Sequence, residues 1–380
     1  MPDRVRVLEL IVSSELGGGP AHVRDLVAGL PKEEFEVTVA GPGGGPFVDV
    51  YRRLGVDFFD VRANRLSLVA LLRLIRLGRD RRIQVIHSHG KGAGLYGRLA
   101  ACWLSAAAIH TFHGIHHRGY GPLYLWGERL LARHSYAVIH VSDSQAQEAA
   151  RLGLAPGGRS LVIPNGTDSA AVRAAAESEP VSRAALGLNE EALVLGTVAR
   201  FDQIKALDVL LRAYARVLER LPESRLLIVG NGPEGGSLRA LAGSLALNDR
   251  VIFAGSIPRA ARCLPAMDVY VSASRREGLP LAVLEAMACG LAVVATRVPG
   301  HVDAVEHGVT GVLVPPDAPE ALGDAVVALL RDGARRRAMG RAGRERVERC
   351  FAVGPMVRRV AALYREAARF PRGPARPSRV

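Results

Sequence analysis

Residues 269–290 read VYVSASRREGLPLAVLEAMACG and hold the clearest structural pattern in the chain. A short apolar run at 269–272 is followed by a polar loop with two arginines and a glutamate, and then by an apolar helical pattern at 281–289. Short, nearly all-apolar runs are typical of strands in a parallel sheet whose two faces are both covered by helices. The segment therefore predicts one strand–loop–helix unit of an α/β fold.

The same unit recurs along the chain in two series. Strands are predicted at 5–12, 35–40, 84–87, 108–112, 136–141 and 160–164, and again at 193–198, 225–229, 251–253, 269–272, 292–295 and 311–314. Two series predict two Rossmann-like, doubly wound domains, which we place at 1–172 and 173–355. We expect a C-terminal helix at 356–370 that returns to the first domain, and a disordered tail at 371–380. Because open α/β sheets bind ligands at the carboxyl ends of their strands, a cleft between the domains is the expected site.

Length and composition restrict the class of protein. The 380 residues suit two domains of about 150–200 residues each. No apolar run reaches the roughly 18 residues that cross a bilayer, and no signal-peptide pattern opens the sequence. The four cysteines form no CxxC pair, which favours a reducing cytoplasm without disulfides. The net charge of +13 favours anionic partners, whereas only 5% aromatic residues argues against nucleic acid.

Two glutamates lie eight residues apart around the loop of the quoted segment. Glu277 follows the strand directly, and Glu285 lies in the apolar helix, where an unpaired carboxylate would be costly. Between them, Gly278, Leu279 and Pro280 bring free backbone N–H groups to a helix N-terminus, which suits an anion. Surface glutamates are the ordinary alternative, but this setting favours a functional role.

Two cations flank an earlier loop between a buried strand and a helix. Arg200 and Lys205 lie in GTVARFDQIKALDVLLRAY, residues 196–214. Cations at a strand's carboxyl end can clamp a diphosphate and neutralise the charge that builds up as it departs. By themselves they would read as solvated surface groups. Together with the loop of Glu277 they predict an anion site.

These segments resemble glycosyltransferase family 4, whose retaining members have the GT-B fold of two Rossmann-like domains facing each other across a cleft. The family's glutamate-x7-glutamate motif matches Glu277 and Glu285. The resemblance implies that Glu277 contacts hydroxyls of the donor sugar and that Glu285 binds the nucleotide ribose. It also implies that Arg200 and Lys205 hold the diphosphate. The first domain would then carry the acceptor side and the second the nucleotide-sugar donor.

Further loops match the nucleotide side of this family. IVGNGPE and VIFAGSI place Gly230, Asn231 and Ile257 near the base or the phosphates of the donor. The family usually has glycine after the lysine, where this chain has Ala206. Since the small size is retained, we expect little consequence.

A glycine-rich loop, SSELGGGPAH, follows the first predicted strand. Gly18 and Gly19 can bring backbone N–H groups close to an anion, and the resemblance places them beside donor phosphate and acceptor. The loop is close to the dinucleotide fingerprint, which also needs an acidic residue at the end of the second strand. That strand ends VTVAGPGG, so an NAD enzyme is disfavoured.

Histidines crowd the ends of two strands: His87, His89, His113, His116 and His117. Their spacing fits no common zinc signature, no cysteine or carboxylate is interleaved, and the chain contains no Asp-x-Asp triplet. We therefore predict no cofactor and no essential metal.

The resemblance assigns one of these histidines to the site. His113 matches the family's cleft histidine, which implies a hydrogen bond to the donor sugar or the acceptor and a place beside Glu277, Arg200 and Lys205 in catalysis. His89 and Lys91 could bind an acceptor phosphate or lie in a surface loop. His116 is an acceptor-side candidate, with loop capping as its alternative.

The segment LSLVALLRLIRLGRDRR, residues 66–82, has leucines on one helical face with arginines among them. It could be an ordinary helix that packs its apolar side on the first sheet. The alternative is peripheral binding to anionic lipid at the inner face of the plasma membrane.

The sequence thus predicts a metal-independent retaining glycosyltransferase that uses a nucleotide-sugar, by default a UDP-sugar. The acceptor could be a sugar, a lipid-linked or a small molecule, in polysaccharide, lipid-linked oligosaccharide or glycoconjugate synthesis. Two alternatives stay open: a sugar-nucleotide epimerase or hydrolase of the same fold, and a non-catalytic binder of nucleotide-sugars.

Overall fold

A computed structural model describes residues 4–63, 67–115, 122–155 and 159–369. The chain divides into two compact units, here called the first unit, Met1–Gly166 with Val353–Val380, and the second unit, Thr167–Ala352. These divisions lie a few residues before the boundaries that the sequence predicts after 172 and after 355. The tail at 371–380 lies outside the described residues.

The first unit is built on a seven-stranded sheet, in which neighbouring strands are parallel and the order is β3-β2-β1-β4-β5-β6-β7. Its strands are β1 Val5–Ile11, β2 Phe35–Gly41, β3 Asp57–Asp60, β4 Val85–His89, β5 Ala107–Phe112, β6 Ala137–His140 and β7 Ser160–Val162. The direction of winding reverses between β1 and β4, which is where ligands of such sheets bind. The edge strand β3 escaped sequence analysis because DFFD is short, half-exposed and flanked by carboxylates.

Six helices of the first unit are α1 Gly18–Gly29, α2 Phe47–Arg53, α3 Leu68–Asp80, α4 Lys91–Leu104, α5 Pro122–Arg133 and α6 Asp143–Arg151. Leu74 of α3 and Ala100 of α4 pack with Leu8 and Ile86 on one face of the sheet. Leu26 of α1 packs on the opposite face. The sheet is therefore covered on both sides, as its apolar strands require.

The second unit holds a six-stranded parallel sheet with the order β10-β9-β8-β11-β12-β13. Its strands are β8 Val194–Val198, β9 Arg225–Val229, β10 Val251–Gly255, β11 Val269–Ser272, β12 Ala292–Thr296 and β13 Gly311–Val314. Its helices are α7 Ser169–Ser178, α8 Leu207–Arg220, α9 Gly235–Ser244, α10 Leu281–Ala288, α11 His301–Ala304, α12 Pro319–Arg331 and α13 Gly333–Cys350. The winding reverses between β8 and β11, so the loops after these two strands lie side by side.

The last helix, α14 Val353–Arg369, packs within the first unit through Met356, Val360 and Tyr364. The sequence predicts this helix at 356–370, and the structure begins it at Val353, after Phe351 leaves helical geometry at the end of α13. Among the described residues, no helix combines the length and apolar character needed to span a membrane.

Candidate functional site

The second unit brings together two residues that lie 72 positions apart. Lys205 follows β8 and Glu277 follows β11, and Lys205 Nζ donates a hydrogen bond of 2.7 Å to Glu277 Oε1. Ser274 Oγ donates to the same oxygen, also at 2.7 Å. The carboxylate side chain is 9% exposed and the lysine side chain 29%. The described residues donate nothing to Glu277 Oε2, so this oxygen can accept from a ligand hydroxyl.

The charge on Glu277 follows from its neighbours. Burial alone would raise the pKa of this carboxyl, but the Lys205 ammonium, together with the hydrogen bonds from Lys205 and Ser274, lowers it below its ordinary value. The site thus presents an ionised carboxylate beside an ammonium, in surroundings that largely exclude water. Such a pair can orient a hydroxyl and stabilise an anion at adjacent points.

Arg200 lies on the loop that also carries Lys205, yet its partner is different. Its Nε donates to Asp202 Oδ2 at 2.7 Å, and its side chain is 63% exposed. Asp202 also accepts from the backbone N–H groups of Ile204 and Lys205, at 3.0 and 3.1 Å. Asp202 therefore shapes the loop that carries both cations. Sequence analysis missed it, although the spacing Arg-x-Asp-x-x-Lys could have pointed to a turn.

The loop after β11 leads into α10 through buried Gly278, Leu279 and Pro280. Helix α10 begins at Leu281 with Pro280 as its N-cap, and Glu285 lies half-buried on it. Gly300 (φ +79°) packs so tightly here that a Cβ would lie 2.3 Å from the Gly278 carbonyl oxygen. The fixed loop presents the first backbone N–H groups of α10, which suits an anion.

The predicted nucleotide-side residues follow the next two strands. Gly230 follows β9 with φ +138°, and a Cβ there would lie 1.9 Å from the Ala199 carbonyl oxygen. The Asn231 carbonyl accepts from Phe201 N at 2.9 Å, which ties this loop to the one after β8. Ile257 lies half-buried in the loop after β10. All three residues thus lie at the same sheet edge as Lys205.

His301 is a residue of this region that sequence analysis missed. It is fully buried, and its Nδ1 lies 2.8 Å from the Thr296 carbonyl oxygen, so Nδ1 carries the proton. Its Nε2 has no hydrogen-bond partner among the described residues. Burial lowers its pKa, which leaves the ring neutral beside Glu277. His301 is a single histidine in the segment TRVPGHVDAV, and no neighbouring residue forms a recognisable motif with it.

In the first unit, the glycine-rich loop opens α1 at the carboxyl end of β1. Gly18 and Gly19 are the first residues of the helix, and Gly17 is its N-cap. A Cβ at Gly17 or Gly19 would meet nothing within 4 Å. No contact with the described part of the chain therefore demands glycine at these two positions, and the open space leaves room for a ligand near the backbone.

His113 and His89 belong to one cluster at the carboxyl ends of β4 and β5. His89 Nδ1 lies 3.0 Å from His113 Nε2, and His89 Nε2 lies 2.7 Å from Glu9 Oε2. The His22 ring meets the His113 ring edge-on, with centroids 4.8 Å apart. Sequence analysis missed Glu9 and His22, because Glu9 is one polar residue in an apolar strand and His22 one in an amphipathic helix.

The acceptor-side candidates are placed differently from one another. His89 is buried, and both ring nitrogens are engaged inside the protein. Lys91 opens α4 with its ammonium 3.7 Å from the centroid of the Tyr124 ring. His116 and His117 lie outside the described residues.

Two overlapping groups in this cluster could hold a metal ion: His22, His89 and His113, or Glu9, His87 and His89. Within each group the candidate ligand atoms lie within 4.8 Å of one another. Spacing along the sequence gave no sign of these groups, because their members come from different strands and helices. The absence of an essential metal therefore stays a prediction.

Comparison with known proteins accounts for both units. Residues 16–171 match the sequence model described as Glycosyltransferase Family 4, and residues 178–346 match the one described as Glycosyl transferases group 1. The chain is 32% identical over 334 residues to D-inositol 3-phosphate glycosyltransferase of Kribbella flavida, covering 82% of this chain and 77% of that protein. It is 31% identical over 183 residues to N-acetyl-alpha-D-glucosaminyl L-malate synthase of Bacillus anthracis, 48% of each chain.

A solved structure shares the fold. The crystal structure of Anabaena Alr3699/HepE in complex with UDP and glucose matches with a TM-score of 0.84 at 20% identity, over 95% of this chain and 99% of that one. The match confirms the GT-B fold. Since similarity in sequence extends over most of a curated relative and both units match family models, the chain belongs to glycosyltransferase family 4 and is a glycosyltransferase that takes its sugar from a nucleotide donor.

Proposed function

We propose that the protein is a retaining glycosyltransferase that uses a UDP-sugar and needs no metal ion. The observation that carries this proposal is the buried pair of Lys205 and Glu277, joined at 2.7 Å between the loops after β8 and β11. The choice of UDP is supported by the HepE structure, which is a complex with UDP and glucose.

In this proposal Glu277 contacts the donor sugar and Lys205 contacts the diphosphate. Glu277 Oε2 accepts hydrogen bonds from sugar hydroxyls, while Oε1 stays bound to Lys205 and Ser274. The Lys205 ammonium has three donors, so it can hold Glu277 and a phosphate oxygen at once. Arg200 exchanges its exposed bond with Asp202 for a second phosphate oxygen. Two cations then compensate the departing diphosphate without a divalent ion.

The remaining donor contacts follow from loop positions. Glu285 binds the ribose, and the backbone N–H groups of Gly278, Leu279 and the start of α10 face the phosphates. The loops carrying Gly230, Asn231 and Ile257 border the base. The bond between the sugar's anomeric carbon and the diphosphate oxygen breaks, the acceptor oxygen forms its bond on the same face, and the acceptor proton passes to the diphosphate.

Replacement of the pair tests the assignment. We expect Glu277→Ala and Lys205→Ala each to lower turnover by about 10²–10³-fold, as when a transition-state contact is removed. Exposed Glu191→Ala is the matched control and should retain normal turnover. Donors are found first by thermal shift, since a ligand at 100 times its Kd adds about 2.7 kcal/mol of stability. Near-normal turnover in both site variants would contradict the proposal.

An epimerase or hydrolase would turn over nucleotide-sugar without any acceptor. None of the relatives reported above is of that kind, so this alternative gains no support. The names of two relatives mention D-inositol 3-phosphate and L-malate, which are small and anionic. Small anionic alcohols are therefore the first acceptor class to test, before sugars and lipid-linked oligosaccharides.

We further propose that the first unit docks on an anionic membrane surface, at the inner face of the plasma membrane. The support is a group of exposed large apolar side chains on three successive helices, 37–79% exposed. They are Leu68, Val69 and Leu72 of α3, Leu99 and Trp103 of α4, and Leu123, Trp126 and Leu130 of α5. Both tryptophans of the chain are among them, and tryptophan favours the membrane interface.

The charge around this apolar surface suits anionic lipid. Arg73, Arg76 and Arg79 of α3 and Arg133 of α5 are all exposed. Each cation near an anionic bilayer contributes about 1 kcal/mol. The inner side of α3 does pack on the sheet through Leu74. Both expectations for this helix are thus compatible.

Sedimentation with vesicles tests the docking. We expect binding to vesicles of anionic lipid at low salt, and loss of binding in high salt or with neutral lipid. The double variant Leu72→Ser with Trp126→Ser should release the protein, whereas Val309→Ser, an exposed apolar residue of the second unit, should not. No binding at low salt, or a stable dimer through this surface, would contradict the proposal.

A further inference from the structure

A buried chain of hydrogen bonds runs from the last helix to the predicted cleft histidine. The Tyr364 hydroxyl of α14 donates to Glu9 Oε1 at 2.5 Å, and Glu9 Oε2 lies 2.7 Å from His89 Nε2. His89 Nδ1 in turn lies 3.0 Å from His113 Nε2. Glu9, His89 and Tyr364 are buried, whereas His113 is only half-buried. His113 is therefore the end of the chain that a substrate can reach.

The groups joined by these hydrogen bonds differ in charge. Burial opposes ionisation of Glu9, but the charge and hydrogen bond of His87 and the hydrogen bond of His89 outweigh it and hold the pKa of Glu9 well below its ordinary value. Burial lowers the pKa of His89 to about 4 and that of His113 well below its usual range. At neutral pH the ionised Glu9 thus faces the neutral imidazole of His89, which in turn faces the neutral imidazole of His113.

The wider surroundings add no further anion to this cluster. The groups whose charges act on His89 and His113 are His22 from α1, Glu9 from β1, His87 from β4 and His110 from β5. His22 is itself neutral, since burial lowers its pKa to about 3. Glu9 is therefore the carboxylate that acts on His89, and the contact between His89 and His113 links it to the second ring.

The ionised carboxylate sets the direction of every hydrogen bond that follows. A carboxylate only accepts, so His89 Nε2 must carry the proton and donate to Glu9. The Nδ1 of a neutral His89 is then an acceptor, so His113 Nε2 must carry a proton and donate to it. This leaves His113 Nδ1 as a bare lone pair, and the described residues offer it no hydrogen bond.

The other oxygen of Glu9 agrees with this direction. Tyr364 donates to it, so the same hydroxyl accepts from His87 Nδ1, with which it is in contact. The Thr111 hydroxyl lies 2.7 Å from His87 Nε2 and, because a hydroxyl can both donate and accept, completes this branch. One consistent set of protons thus satisfies both branches up to His113 Nδ1, which stays open.

We propose that Glu9, acting through His89, fixes His113 as a hydrogen-bond acceptor at Nδ1 for a hydroxyl of the bound sugar substrate. Glu9, His89 and Tyr364 are positioning residues, and Tyr364 is the residue by which α14 contributes to this arrangement. The proposal rests on the proposed function, because the family resemblance implies that His113 of such a transferase hydrogen-bonds the donor sugar or the acceptor. The buried charge of Glu9 also makes the His113 lone pair a stronger acceptor, as a carboxylate does for the histidine of a catalytic triad.

A metal ion shared by these histidines is the competing arrangement. Tetrahedral zinc with Zn–N bonds of about 2.0–2.1 Å keeps its nitrogens about 3.3 Å apart. The 3.0 Å between His89 Nδ1 and His113 Nε2 is the ordinary length of a hydrogen bond. The geometry therefore favours a shared proton over a shared metal.

Nitrogen NMR of the full chain labelled with ¹⁵N-histidine tests the tautomer without an activity assay. At pH 7 we expect His113 Nε2 to be protonated and Nδ1 to be pyridine-like, with the signals assigned from a His113→Gln sample. Tyr364 and His89 bond to different oxygens of Glu9, so in Glu9→Gln one of them faces the carboxamide NH₂, which donates instead of accepting. The His113 signals should therefore shift to a mixture of tautomers. A protonated Nδ1 in the native chain, or stoichiometric zinc by elemental analysis, would overturn the proposal.

Steady-state kinetics tests the consequence. Glu9→Gln should lower kcat/KM by about 10–100-fold, the range seen when outer partners of a functional histidine are removed. Tyr364→Phe should lower it less and serves as the second variant should Glu9→Gln fail to fold. Ser88→Ala, which removes the 2.9 Å contact with buried His110 in the same region, is the matched control and should keep kcat/KM. Unchanged kcat/KM in both Glu9→Gln and Tyr364→Phe would overturn the proposal. A native chain without transferase activity would instead refute the proposed function, while the tautomer spectrum still decides this inference.

Discussion

Replacement of Lys205 by methionine isolates the electrostatic contribution of the donor-side pair. Methionine keeps most of the apolar stem and removes only the ammonium. Glu277 then stays buried, 9% exposed, with Ser274 as its remaining hydrogen-bond donor. We therefore expect Lys205→Met to destabilise the second unit at neutral pH.

The size of the loss follows from the geometry. Two unit charges 2.7 Å apart attract by about 6 kcal/mol at an effective dielectric constant of 20. Removal of the lysine also ends its own desolvation cost, so the net loss is smaller, and the partly exposed ammonium reduces it below the 3–5 kcal/mol of fully buried pairs. We expect about 2–3 kcal/mol, or roughly 4–12 °C in the Tm of a unit of this size.

The loss must depend on pH in one direction. Lys205 lowers the pKa of Glu277, so the pair stabilises the fold above the unfolded carboxyl's pKa of about 4.3 and loses that contribution as pH falls through the folded value. Below that point Glu277 is protonated, and the lysine has little left to stabilise. The difference between native and Lys205→Met should therefore shrink as pH falls below about 4.

Thermal unfolding followed at pH 7 and below pH 4 measures both features. Arg200→Met is the matched control, because Arg200 is 63% exposed, and we expect its cost to stay below about 1 kcal/mol. In the double variant Lys205→Met with Glu277→Gln, part of the loss should be restored, since no buried charge is left unpaired. Equal costs for Lys205→Met and Arg200→Met, or a cost that is independent of pH, would refute the reasoning.

Three further outcomes follow from single contacts. Ala206 has a left-handed backbone (φ +50°), a conformation that costs residues other than glycine about 1–2 kcal/mol. Ala206→Gly should therefore raise the free energy of unfolding in urea by about 0.5–1 kcal/mol. A lower free energy of unfolding would show that the contacts of the buried methyl group matter more. Gly230→Ala should lower stability by at least about 2 kcal/mol, because its Cβ would lie 1.9 Å from the Ala199 carbonyl oxygen, and a normal Tm would contradict this. The Arg98 guanidinium is 1% exposed and bonded to Glu128 at 2.7 Å, so Glu128→Ala leaves a buried charge without its counter-ion. Thermal unfolding should show that the first unit loses about 3–5 kcal/mol of stability, and a change within about 1 kcal/mol would refute the argument.

At residue 206 the structure gives a different reason for the family's usual glycine from the one that the motif suggested. The sequence suggested that a small side chain after Lys205 was the requirement, and alanine meets it. The structure shows a left-handed backbone at that position, buried at the start of α8. The usual glycine is therefore explained by backbone geometry as well as by size.

Several elements could be predicted from the sequence because their signals are local. Apolar runs of strand length, the glycine loops after them and the motif of Glu277 and Glu285 all lie within about twenty consecutive residues. The edge strand β3 was missed, because a short half-exposed strand barely alters the apolar pattern.

The sequence by itself determined the α/β class, the two sheets and the loops that hold the donor-side residues, because hydrophobic periodicity and loop chemistry are properties of neighbours along the chain. Only the tertiary structure decided which loops meet. Lys205 reaches Glu277 because β8 and β11 are adjacent in the sheet, and Glu9 meets His89 and Tyr364 because β1 pairs with β4 beneath the last helix. Strand order and helix packing bring residues together that are distant in sequence, and the spacing of residues within one segment does not predict these contacts.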